Sequence, residues 1–395
     1  AADAPDPSTK QALLDRGYAL VGSSYDPAGS WWALGSALRD QFEALDAVRT
    51  FLPSQPREVI AFGTSMGGLV SALESERGNG RIDGALTTCG LVAGAIHLNN
   101  YQLDGEYAMA KLLAAAVPIK LVRFANPDEG LATAKQFDAI AQQAQSTPEG
   151  RARLALAMAF MNVPTWAPGQ PMPAAYDYAA QEQQQFDIQF SGAFTTMDFI
   201  ESGRPWIEQA AGGNGSWTVG VDFARQLARS PYAPQVRALY HQAGLDLRSD
   251  LGALTAGANI RADASAIRWL AQTSVPSGRL QVPELNLHTT SDQLVPVQQE
   301  SVYARAVRGA GADRLLRQAY VARQGHCNFT PAELVAGVLA IQHRVESGRW
   351  GGVATSWSLQ ATATGLGLGD AAFVPFRPWP LTGDNGRFPR AQAPW

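Results

Sequence analysis

The sequence predicts an α/β protein: a mostly parallel sheet covered by helices and interrupted by a large helical insertion. Two stretches of alternating strand and helix, residues 11–90 and 280–346, predict the sheet, because strands separated by helices pair in parallel. Between them, residues 91–278 read as helices separated by Pro/Gly breaks, with no strand pattern. The 395 residues are 46% hydrophobic and 17% charged, which supplies a substantial core and argues against a disordered chain. The simplest division is a sheet domain of residues 1–90 and 280–348, an insertion of residues 91–279, and a Gly/Pro/Trp-rich tail of residues 349–395 that wraps the surface. An insertion so far above ordinary loop length points to a functional part.

In chain order, residues 11–16 predict a short helix and residues 18–24 a small apolar strand. Residues 36–52 predict an amphipathic helix, with Leu38, Phe42, Leu45, Val48 and Leu52 at helical spacing. A short apolar strand at 59–62 leads through a turn into a helix at 67–76, which Gly78-Asn79-Gly80 ends. The next strand is 82–88. In the insertion the expected helices are 108–116, 132–145, 150–160, 179–186, 221–229, 234–244 and 264–272. After it come strand 283–290, helix 297–308, strand 316–323 and helix 331–346.

Composition excludes several function classes. A net charge of -4 and only four lysines leave no electrostatic footprint for nucleic acid. No apolar run reaches the roughly 18 residues a membrane helix needs; the longest candidate, 108–122, is broken by Lys111, Pro118 and Lys120. Residues 1–10 are polar and proline-containing, so no signal peptide is expected there. No cluster of His, Cys and carboxylates has metal-ligand spacing, so neither a metal nor another cofactor is expected. Gly212–Gly215 lacks the strand and lysine of a phosphate loop and reads as a turn.

The sharpest motif is Gly63-Thr64-Ser65-Met66-Gly67. A bare G-x-S-x-G is weak, but here a strand leads in and a helix leads out. Such a turn needs small neighbours because the serine takes strained dihedrals, and it sets Ser65 at a helix N-terminus, where N–H groups favour negative charge. A nucleophilic serine needs a base. His326, in Gly325-His326-Cys327-Asn328 after the last predicted strand, is the best placed of five histidines. His241 and His343 read as structural or surface residues, and His288, inside a strand, reads as a packed histidine. The base needs a carboxylate to hold its tautomer. Asp292 lies just past strand 283–290, giving the order Ser65, Asp292, His326, each at the C-terminal end of a predicted parallel strand.

This combination resembles an α/β-hydrolase: the elbow motif, the Ser-Asp-His order, and the Gly-His loop after the final strand. The resemblance covers residues 11–90 and 280–346 and leaves the insertion as a cap over the site. It implies a serine hydrolase that forms an acyl-enzyme, with Ser65 as nucleophile, His326 as base and then acid, Asp292 as its orienter, and the Met66 N–H in the oxyanion hole. The substrate implied is small or acylated, an ester or else a lactone or amide. An acyltransferase or cyclase, and a non-catalytic binding protein on the same scaffold, are the alternatives.

Two departures from the family pattern stand out. Three strands usually precede the first helix and carry the second oxyanion donor. Here they are missing, so an upstream segment, cleaved, lost or present as a separate polypeptide, is expected; pairing of residues 18–24 with residues 59–62 would contradict it. Second, tannase and feruloyl-esterase relatives bond a cysteine before the serine to one after the histidine. This sequence is similar at Cys327 but has Thr64 at the first position, while Cys89 ends the neighbouring strand. A Cys89–Cys327 disulfide is therefore expected, two free buried thiols being the other reading. The bond would favour an extracellular or periplasmic site over the cytoplasm. Trp31 and Trp32, after Asp26-Pro27-Ala28-Gly29, and His97 are candidate substrate-lining residues, with core packing the other reading of the tryptophans. Methionines and tryptophans of the insertion (Met109, Met158, Met161, Met172, Met197; Trp166, Trp206, Trp217, Trp269) suit a bulky apolar substrate or simply a core.

Overall fold

A computed structural model describes residues 6–25 and 31–383. The turn 26–29 before the tryptophan pair lies outside the described residues. The chain divides into two compact units, Ala1–Val92 with Pro276–Pro378 and Ala93–Val275 with Trp379–Trp395.

The first unit holds the sheet. In chain order its elements before the insertion are α1 (Pro7–Leu14), α2 (Ala37–Arg49), β1 (Ile60–Thr64), α3 (Met66–Arg77) and β2 (Gly84–Thr88). The second unit supplies α4 (Ala95–Leu113), α5 (Pro127–Ala144), α6 (Pro148–Met161), α7 (Tyr178–Phe190), α8 (Thr196–Ala211), α9 (Phe223–Ala228), α10 (Ala233–Gln242), α11 (Leu247–Gly257) and α12 (Ala264–Thr273). The first unit resumes with β3 (Glu284–Ser291), α13 (Gln299–Gly309), β4 (Leu316–Gln324), α14 (Pro331–Ser347), α15 (Ser356–Leu366) and β5 (Phe373–Val374). Strand order is β1-β2-β3-β4-β5, parallel except for the antiparallel β4–β5 edge.

The period-2 alternation of β3 explains how both sheet faces are covered. Leu285 and Leu287 face one way, into an apolar cluster with Leu86, Val321, Ala336 and Ile341. Glu284, Asn286 and His288 face the other way and are buried as well, as a polar stripe. Ser75 and Tyr303 donate to Glu284 Oε2 at 2.5 and 2.9 Å, and Asn286 donates to Glu300 Oε2 at 3.0 Å. α2 closes the β1 end, with Phe42 and Leu45 against Ala61, Ile82 and Ala85.

Several expectations need correction. Residues 18–24 form no strand; a strand needs a ladder partner for its N–H and C=O groups, and among the described residues none lies alongside. They do not pair with β1. The tail is not only a surface wrap: α15 puts Leu359 and Ala363 into the sheet core, and β5 adds an edge to β4. Its last described residues instead belong to the second unit, where Thr382 exchanges hydrogen bonds with Asn162 at 2.9 and 3.2 Å.

The second unit also carries helices the pattern missed. α8 runs through Pro205 and is nucleated by a reciprocal Thr195/Asp198 capping box, and α11 is capped by Asp246. Met109, Met158, Met161 and Met197 are fully buried in this unit's core, whereas Met172 is exposed. Trp166, Trp206, Trp217 and Trp269 are half-buried. Arg204 is clasped by both oxygens of Glu106 at 2.7 and 2.6 Å, a fully buried ion pair. Among the described residues no helix is long and apolar enough to cross a membrane.

Candidate active site

Ser65 sits between β1 and α3 with φ 59° and ψ -120°, a strained conformation for a residue bearing a Cβ. Its own N–H donates to the Thr88 carbonyl at 3.0 Å, which pins the elbow to the end of β2. Two neighbouring glycines are sterically required. A Cβ on Gly63 would lie 1.9 Å from the Gly67 carbonyl oxygen, and one on Gly68 2.7 Å from Gly90 Cα. At Gly67 the nearest atom to such a Cβ would be the Tyr25 hydroxyl, at 3.6 Å. Met66 is the first residue of α3, so its N–H belongs to the set that a helix leaves without an internal partner.

His326 and Asp292 come from the ends of β4 and β3. The two strands slip register between Thr289 and Ser291, a bulge just before Asp292. Gly325 N–H donates to the Ser291 carbonyl at 2.8 Å, and the Thr289 hydroxyl donates to the Gly325 carbonyl at 2.9 Å. These bonds tie the two loop starts together. Ser65 Oγ lies 2.8 Å from His326 Nε2, and His326 Nδ1 lies 2.8 Å from Asp292 Oδ2. Because the carboxylate can only accept, Nδ1 carries the proton and Nε2 is left to accept from the serine hydroxyl. The other Asp292 oxygen accepts from the N–H groups of Leu294 and Val295 at 2.9 and 2.8 Å. Although burial opposes its ionisation, the His326 and His288 side chains hold the Asp292 carboxyl well below the usual carboxylate range.

A serine, a histidine and a buried carboxylate thus meet at the C-terminal ends of three parallel strands, in the chain order Ser, Asp, His. The chain has the α/β-hydrolase fold. Chemically, such a chain of hydrogen bonds can take the serine proton as the oxygen attacks an acyl carbon, and return it to a leaving group.

Behind Asp292 stands a residue that sequence reasoning set aside. His288 is fully buried; its Nε2 donates to the Val295 carbonyl at 2.8 Å and lies 3.6 Å from Asp292 Oδ2, while Nδ1 meets Glu300 at 3.0 Å. Desolvation works against its charge, yet Asp292 and Glu300 push its pKa up to about 10, and both ring nitrogens face oxygen acceptors, the arrangement that suits an imidazolium. Glu300 is held in turn by the Asn286 and Gln318 amides at 3.0 and 2.5 Å. The only sequence signal was the polar alternation Glu284, Asn286, His288 inside a buried strand.

Cys89 and Cys327 form a disulfide, with Cα atoms 5.4 Å apart. Both cysteines have positive φ, 44° and 56°, directly after β2 and within the β4 loop. The bond holds the residue after His326 to the end of β2, with Cys327 Sγ 3.2 Å from His326 Nε2. Thr64 and Thr88 pair hydroxyls at 2.8 Å across the same strand ends. Cys89, Cys327 and His326 bring ligand-type atoms within 4.8 Å of one another, with both sulfurs engaged in the disulfide. Of the candidate lining residues, Trp32 is 1% exposed and belongs to the core, whereas Trp31 is 41% exposed, the rings being 6.1 Å apart. His97 lies in the first turn of α4, in the second unit.

No protein-family model matches the chain. Over 363 residues it is 28% identical to o-phthalyl amidase of Xanthobacter agilis, covering 86% of this chain and 79% of the amidase. Among solved structures it is similar to Candida antarctica lipase A, at 14% identity and TM-score 0.36, over 86% of this chain and 61% of the lipase. It is also similar to tannin acyl hydrolase from Aspergillus niger, at 11% identity and TM-score 0.33, over 79% of this chain and 60% of that one. The chain therefore spans about three fifths of the length of these two enzymes.

Proposed function

We propose that the protein is a serine hydrolase that cleaves a carboxylic ester or amide through an acyl-enzyme on Ser65. The observation that carries this reading is the unbroken hydrogen-bonded chain from Ser65 Oγ through His326 to Asp292, at 2.8 Å for each link. Ser65 Oγ attacks the acyl carbon as His326 Nε2 takes its proton. The resulting imidazolium, balanced by Asp292, protonates the departing alcohol or amine. Water then enters on the same path in reverse and releases the acid. The Met66 N–H supplies one donor to the tetrahedral oxyanion.

The likeness to an o-phthalyl amidase supports trying an aromatic amide beside the esters as a first substrate. The disulfide favours an extracellular or periplasmic site of action. The test is product analysis on a matched pair, a phthalyl amide and the corresponding phthalyl ester, with Ser65→Ala beside the wild type. Hydrolysis of either compound, abolished in the variant, supports the reading. Hydrolysis that survives the substitution would overturn it.

A further inference from the structure

At the far end of β4 from His326, four arginines converge on one cavity. The cavity holds about 490 Å³ and is lined by Arg314, Arg317, Arg344, Arg349 and Trp350 together with small residues of the turn after α14. That is the size of a small-ligand site. Arg317 stands at the start of β4 and His326 just past its end, so nine strand residues, about 30 Å, separate this cavity from Ser65 and His326.

The cavity's electrostatics are unbalanced. Among the described residues no Asp or Glu lines it, in a chain whose net charge is -4. The hydrogen bonds Arg317 makes go to carbonyls, those of Leu316 at 2.7 Å and Asp313 at 3.4 Å, which hold the side chain, and the Asp313 carboxylate offsets its charge only in part. Partial burial, together with the neighbouring Arg344, pulls the Arg317 pKa below the usual guanidinium range. Arg344 Nε is buried and has no hydrogen-bond partner.

Two of the arginines, Arg317 and Arg344, are also positioned by one ring. Trp350 is 7% exposed, and its indole N–H donates to the Arg314 carbonyl at 3.0 Å, which fixes the ring. The Arg317 and Arg344 guanidinium carbons then lie 5.4 and 5.8 Å from the ring centroid. Holding like charges together around an unpartnered buried N–H is unfavourable unless something anionic enters. Guanidinium groups in a fixed arrangement suit oxyanions that accept two hydrogen bonds at once.

We propose that this cavity is a binding site for a small molecule carrying two or more phosphate, sulfate or carboxylate groups, separate from the hydrolytic site. The test is calorimetric titration of the full chain at low ionic strength with inorganic pyrophosphate and with citrate, orthophosphate and acetate serving as singly headed controls. The expected result is one molecule bound per chain, tighter for the multiply headed anion than for its control, with affinity falling as salt is added. The stronger of pyrophosphate and citrate identifies the oxyanion chemistry. Arg344→Gln, and separately the exposed pair Arg314→Gln with Arg349→Gln, each weaken binding about tenfold or more, while Arg39→Gln, at the start of the α2 helix that packs on β1, leaves it unchanged. Because Arg314 and Arg349 are exposed, their loss leaves folding intact. No binding by the wild type would overturn the proposal, and so would equal affinity in the Arg314/Arg349 variant.

Discussion

Histidine 288 illustrates what one buried residue adds to a site. Ser65, Asp292 and His326 were legible in the sequence because each follows an apolar strand and their order matches a known arrangement. His288 was not, since a histidine inside a strand reads as packing until its neighbours are known. In the structure it faces Asp292 from behind with its pKa raised, and its Nε2–H holds the turn carbonyl of Val295. Replacing it should loosen Asp292 without touching substrate. His288→Gln is expected to lower kcat about tenfold or more with KM little changed; steady-state kinetics and the pH profile of kcat check it. Equal kcat in the variant would leave His288 as core only. Gly63 makes the converse point: its Cβ would overlap the Gly67 carbonyl oxygen, so Gly63→Ala should break the elbow and abolish activity in a chain that still folds, as circular dichroism would record.

At the scale of elements, β3 and α3 carry buried acids whose cost depends on pH. Burial pushes Glu74 and Glu284 each up to about 8. Unfolded, a glutamate ionises near 4.3; folded, these two stay protonated to about 8. The unfolded chain therefore binds fewer protons in that window, and stability falls as pH rises through it, by about 1.4 kcal/mol per pH unit for each group. Glu284→Gln is expected to flatten the slope of unfolding free energy between pH 5 and 8 by about that amount, read from urea denaturation. An unchanged slope would mean that Glu284 ionises in the fold.

The same scale explains what the sequence reading missed. Residues 18–24 have strand composition but no ladder partner among the described residues. α8 hides behind Pro205, which argues against a helix locally while the capping box at Thr195 and Asp198 argues for one. β5, at two residues, is too short for any period to register.

For the whole molecule, the disulfide is the longest covalent link. It joins residues 238 apart, so its closure removes much chain entropy from the unfolded state, on the order of 5–6 kcal/mol in the entropic account. It also tethers the loop that carries His326. Cys327→Ser is expected to lower the melting temperature and to slow acylation of Ser65 even where the chain remains folded. Normal acylation in a destabilised variant would confine the bond to stability. How the tail is shared between the two units had no counterpart in composition: residues 349–378 and 379–383 both contain Pro, Gly and aromatic residues, and only packing separates them.

The central claim is that Ser65 is an activated nucleophile. The most direct measurement is the intact-protein mass before and after a fluorophosphonate probe, on the wild type and on Ser65→Ala. The account predicts one covalent adduct per chain, absent from Ser65→Ala and strongly diminished when His326 is replaced by Gln. A folded wild-type protein that takes up no probe, or an adduct that persists in Ser65→Ala, would contradict it.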